Sequence, residues 1–131
     1  MTRTDARELM MQLYYQMDVN NDFDVNSSSK LFDGKRIKGQ EDYCNNLHSL
    51  LCNKKSEIDE MINKYSQGWT TERMPKTDLA IARVSTCEIL YLDDVPNAVS
   101  INEAVDLAKK YGTEQAPKYI NAVLGKIAAE A

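Results

Sequence analysis

The chain has 131 residues, of which 43% are hydrophobic and 27% charged, with a formal net charge of −4. That length supports one domain burying roughly two thirds of its unfolded surface; no apolar run approaches the ~20 residues of a membrane span, and the polar N-terminus lacks the apolar centre of a signal peptide, so a cytoplasmic protein is expected. The acidic balance excludes coating of nucleic acid by bulk electrostatics, but not a local basic stripe that meets phosphates directly.

The first helix is expected to begin near Thr2 or Thr4 and to bury Ala6, Leu9, Met10, Leu13, Tyr14 and Met17 along one face. Steps of four from Arg3 give Arg7, Met11 and Tyr15 on a second face that the spacing leaves exposed. Two readings of that stripe stand side by side. Met11 and Tyr15 pack under the following loop, or the stripe binds phosphate at its N-terminal end and a base or a protein partner beyond it. Residues 18–40, with Asn20, Asn21, Asp22, a serine run and Gly34 and Gly39, read as a loop. Its Lys30, Lys35, Arg36 and Lys38 are either a solvated charge run or a supplement to the stripe.

Tyr43, Cys44, Leu47, Leu50 and Leu51 define a second helix, on which Cys44, His48 and Cys52 align. A metal would need a fourth ligand, whereas free cysteines are commonly buried, so neither a metal nor a cofactor is expected. Ser56 and Asp59 have capping-box spacing at the start of a third helix, with Ile58, Met61, Ile62 and Tyr65 inward and Gly68 closing it. Trp69 is expected to pack back on the bundle. The turn from Trp69 to Pro75 divides one domain into helical subdomains at 1–68 and 69–131.

From Thr77, a good cap, to Leu92 the apolar residues run almost all the way round, which marks a central helix. Arg83 and Glu88 interrupt it and each requires a partner or a place at a seam; Asp78 stands in its first turn. Ser100 and Glu103 repeat the capping-box spacing, with Val99 and Ala104 placed as a staple, Lys109 and Lys110 in the last turn and Gly112 offering a left-handed stop. A last helix opens at Ala116 and Pro117 and carries Tyr119, Ile120, Val123, Leu124 and Ile127. The short connection makes these two the closing hairpin of an all-α bundle. No phosphate-binding glycine loop and no nucleophile beside a base occurs, so an enzyme is not expected.

Ala6-Arg7-Glu8 with Gln12 and Tyr15, Trp69 with Arg73, Asp78 to Arg83 followed by Glu88, Val95-Pro96, Ser100 to Lys109, Tyr111-Gly112 and Tyr119 to Leu124 together resemble the NusB family of transcription antitermination and ribosomal RNA synthesis factors. The resemblance implies an all-α protein of two small packed helical bundles. It further implies binding of boxA-type single-stranded RNA together with the ribosomal protein NusE, in the RNA polymerase antitermination complex that supports ribosomal RNA transcription. On the RNA side it implies Arg3, Arg7, Gln12, Gln115 and Tyr119; on the partner side, Tyr15 and Asp78, beside Met11 of the stripe. Family members differ in being monomer or homodimer. Many relatives carry an unbroken arginine cluster before the position of Ala6, whereas this chain has only Arg3 and Arg7, separated by Thr-Asp-Ala. Each phosphate left without a cation holds back one counterion whose release would drive binding. Ala122 stands where glycine is usual, which tightens the helix by about 1 kcal/mol. The alternative is a protein-interaction module that docks NusE or a second copy without intrinsic RNA binding. From the sequence, Arg7→Ala separates the two readings by its effect on RNA affinity and salt slope.

Overall fold

Thr2 starts the first helix. Its hydroxyl accepts from the Asp5 amide at 3.0 Å while the Thr2 amide donates to the Asp5 carboxylate at 3.3 Å, a capping box at the very front of the chain. Thr2→Ala is expected to cost about 1 kcal/mol in urea unfolding, the usual worth of such a cap. The computed structural model describes residues 1–28 and 37–131. In chain order the helices are α1 (Arg3–Val19), α2 (Val25–Ser28), α3 (Glu41–Asn53), α4 (Lys55–Tyr65), α5 (Lys76–Tyr91), α6 (Asn97–Tyr111) and α7 (Ala116–Glu130). No strand occurs among the described residues, and none of their helices is long and apolar enough to cross a membrane. The short α2 lies in the stretch read as loop. Lys30, Lys35 and Arg36 of the expected basic cluster lie outside the described residues, and Lys38 is exposed.

Helix α5 is the axle of the molecule. Every residue from Asp78 to Ile89 is buried, and α5 touches α1, α3 and α4 from the first half of the chain and α6 and α7 from the second. Helices α6 and α7 pack on one another as the closing hairpin. The two interrupting charges of α5 find partners in opposite directions. Arg83 grips Asp59 of α4 with two hydrogen bonds of 2.8 and 2.9 Å and lies 3.4 Å from Asp18 of α1. Glu88 accepts from Arg7 of α1 at 2.9 Å, from the Tyr43 hydroxyl of α3 at 2.6 Å and from the Ser100 hydroxyl of α6 at 3.0 Å.

These networks take the residues that local spacing had assigned to caps. Helix α6 begins three residues before Ser100, directly after Pro96, so Ser100 is interior and buried. Glu103 accepts instead from Arg7 at 3.1 Å and from the Thr4 hydroxyl at 2.6 Å, and Val99 stays exposed rather than stapled. Helix α4 starts at Lys55 with no side-chain cap, because Asp59 is committed to Arg83 and Lys55. Helix α5 starts at Lys76 after Pro75, which places Thr77 inside it. In each case a buried ion pair or a proline outweighs a cap worth about 1 kcal/mol.

Candidate functional site

The stripe on α1 divides between core and surface. Arg7 and Met11 are only 4% and 2% exposed, whereas Tyr15 is 40% exposed and Gln12 also faces out. The expectation of one continuous exposed face is therefore corrected: Glu88 of α5 and Glu103 of α6 draw Arg7 inward, and Met11 belongs to the core. Burial alone would weaken the hold of Arg7 on its proton; the hydrogen bonds and charge of Glu88 outweigh that and raise its pKa, so the guanidinium stays charged. The seam between α1 and α6 continues in the same register. Lys110 donates to Glu8 at 2.7 Å, the Tyr111 hydroxyl donates to the same carboxylate, and Gln12 donates to the Tyr111 oxygen at 3.3 Å. The hydrogen bonds from Lys110 and then Tyr111 hold the Glu8 carboxyl below its ordinary range.

Arg3, one turn before Arg7, is the stripe's remaining accessible cation. Its Nε donates to Gln40 at 2.6 Å and its guanidinium lies 4.2 Å from the Tyr43 ring centroid. A cleft of about 280 Å³ opens there, lined by Arg3, Gln40, Glu41, Asp42 and Tyr43. Its terminal nitrogens make no hydrogen bond to a described residue and are available to a phosphate.

Asp78, Gln115 and Tyr119 come together at the turn between α6 and α7. Buried Asp78 accepts from the Thr113 amide at 3.2 Å and from its hydroxyl at 2.9 Å, tying the turn to the first turn of α5. Gly112 permits this approach. Its backbone is extended (φ −83°, ψ 178°) rather than left-handed, and the requirement is space, because an added Cβ would stand 2.8 Å from the Asp78 carboxylate. Trp69, which sequence reasoning sent back onto the bundle, is 49% exposed, its ring 5.9 Å from that of Tyr119 at an angle of 50°. The Tyr119 hydroxyl donates to the Trp69 carbonyl at 3.0 Å, and burial raises its pKa, so it stays a neutral donor. Trp69, Met74, Asp78, Thr113, Gln115 and Tyr119 line a cleft of about 120 Å³. Two aromatic walls beside the Gln115 amide can stack a flat ring and read its edge, or take an apolar side chain.

Trp69 and Tyr111 are the residues that sequence reasoning did not place at the site. Gly68, expected to close α4, is corrected: the helix ends at Tyr65 with Ser66 as its cap, and Gln67 and Gly68 beyond it both have positive φ, 50° and 96°, a tight turn that sets Trp69 outside the bundle. On α3, Cys44 and His48 are buried and His48 Nε2 lies 3.4 Å from the Val25 carbonyl. Among the described residues no three His, Cys, Asp or Glu side chains group so as to hold a metal.

The sequence profile of the NusB family matches residues 4–129. Transcription antitermination protein NusB of Alkaliphilus oremlandii is 39% identical over 127 residues, spanning 96% of this chain and 92% of that relative. Among solved structures, NusB of T. maritima superposes with a TM-score of 0.89 at 28% identity, over 99% of this chain and 92% of that one. A chain from the crystal structure of antitermination factors NusB and NusE in complex with double-stranded RNA shares the fold, with a TM-score of 0.84 at 24% identity over 98% of this chain and 97% of that one.

Proposed function

This chain belongs to the NusB family, and from that premise we propose that it is a cytoplasmic transcription antitermination factor that binds boxA-type single-stranded RNA together with the ribosomal protein NusE, within the RNA polymerase antitermination complex, in support of ribosomal RNA transcription. The reading is of a binding protein and assigns it no catalysis. The observation that carries it is the aromatic cleft at the α6–α7 turn, where Gln115 and Tyr119 meet exposed Trp69. A base seated there stacks on the rings and meets the amide, while Arg3 and Gln12 on α1 meet the strand's backbone. Tyr15 contacts NusE directly. Buried Met11 and Asp78 hold the surfaces that do so, and Arg7 fixes α1 in place rather than touching phosphate.

A second reading, docking of NusE or of a second copy as a homodimer without intrinsic RNA binding, is favoured by one observation. Burial of Arg7 leaves Arg3 as the single accessible cation of the α1 stripe. The test is affinity for a boxA-like single strand against a scrambled one, at several salt concentrations, with and without NusE. Selective binding strengthened by NusE is expected, and Arg3→Ala should lower the salt slope by about 0.7, one single-strand phosphate contact. If RNA adds nothing beyond what NusE alone binds, the docking reading replaces the first.

A further inference from the structure

A groove of about 700 Å³ runs between α4 and the C-terminal end of α5, with Met61, Leu90 and Tyr91 as its apolar floor. All three are half-buried and rest on the core, so the floor is a fixed surface rather than loose side chains. Glu57 and Glu60 stand on its rim, and neither makes an ion pair or hydrogen bond with a described residue. The groove's lysine, Lys64, is already held by Glu130. Just beyond Tyr91 the chain leaves α5 through exposed Asp93 and Asp94, and the last turn of α5 carries no basic residue against the negative end of its dipole. Burial and then the charge of Glu57 raise the Tyr91 pKa, so the negative potential reaches the floor.

We propose that this groove is a docking site for a basic amphipathic segment of a protein partner, with aliphatic anchors on Met61, Leu90 and Tyr91 and flanking Lys or Arg side chains paired to Glu57 and Glu60. An apolar floor selects a polypeptide with hydrophobic anchors at helical spacing, and an uncompensated acidic rim selects cationic flanks and repels RNA and anionic lipid. Tyr91 lies thirteen positions after Asp78, about 20 Å along α5. The groove can therefore be filled while the cleft at the other end is in use, and its assignment does not depend on the RNA reading.

The test is an NMR titration of the isotope-labelled full chain with a short synthetic leucine–lysine amphipathic peptide, beside a peptide in which glutamate replaces lysine. The lysine peptide is expected to shift the amides of residues 57–64 and 90–94 saturably, and the glutamate peptide to leave them in place. The double variant Glu57→Lys/Glu60→Lys, altered only at exposed positions, should bind the lysine peptide about tenfold more weakly or worse. Shifts spread evenly over the acidic surface, or equal affinity for the double variant, would overturn the proposal. So would movement of these same amides on concentrating the chain alone, which would make the groove a self-association face, or on adding RNA.

Discussion

Arg7→Ala is expected to lower stability by about 3–5 kcal/mol, read from urea unfolding followed by circular dichroism. Glu88 is 1% exposed and accepts from Arg7, Tyr43 and Ser100 together. Removing the cation leaves a carboxylate buried beside two neutral donors that cannot compensate its charge, and Glu103 loses a partner as well. The double variant Arg7→Met/Glu88→Gln should recover much of the loss, because no unpaired charge stays behind, the amide oxygen still accepts from one of the two hydroxyls and the amide NH2 donates to the other. A loss under about 1 kcal/mol for Arg7→Ala would show that water reaches Glu88 and that the network does not hold α1. For the same reason Arg7→Ala is a poor probe of RNA contact. Its RNA affinity reports the folded fraction first, so Arg3→Ala is the informative variant.

Gly112→Ala is the second large effect, and its sign separates two explanations of the glycine. Were Gly112 required only for backbone freedom, alanine at a φ of −83° would be tolerated and would stabilise by about 0.4–1 kcal/mol through the unfolded chain. Instead the new Cβ would stand 2.8 Å from the Ala108 carbonyl, 2.8 Å from the Asp78 carboxylate and 2.9 Å from the Ala116 Cβ. Two of these belong to helix ends that cannot give way separately. A destabilisation of about 1–3 kcal/mol is expected, with displacement of Thr113 from Asp78 and distortion of the Trp69–Tyr119 cleft. Gly125→Ala is the matched control: its Cβ would meet nothing within 4 Å inside α7, so it should stabilise by up to about 1 kcal/mol. Calorimetry of the two variants side by side checks both signs.

The central position of α5, its need for partners at Arg83 and Glu88, and the α6–α7 hairpin were legible in the sequence. Those features follow from periodicity and from the cost of burying charge, both of which are local or nearly so. Helix starts were less legible, because a Ser and a Glu three apart serve a cap or a buried network equally well. Only the arrival of Arg7, Tyr43 and Glu88 from elsewhere decides between them. The inward turn of Arg7 and Met11 was hidden for a related reason: a helical wheel shows one buried face, and α1 is covered on two. At the candidate site the resemblance marked Asp78, Gln115 and Tyr119, and the structure brings them to one cleft. It did not mark Trp69 as a site residue, since a lone tryptophan reads as core until the turn that carries it is seen to stand outside.

The partners of α1 are far away along the chain. Arg7 and Glu88 are 81 positions apart, Thr4 and Glu103 are 99 apart, and Glu8 and Tyr111 are 103 apart. A ribosome therefore delivers the first helix long before the residues that seat it, by roughly 5–20 s at ordinary elongation rates. Until α5 arrives, the buried face of α1 with Met10, Met11 and Met17 lacks its main neighbour and can pack only on earlier elements such as α3. Arg3 can meet Gln40 and Tyr43 early, whereas Gln12 gains its bond to Tyr111 only when α6 has emerged. The cleft of Trp69, Gln115 and Tyr119 likewise waits for the start of α7, so the last helix to be made completes the candidate site.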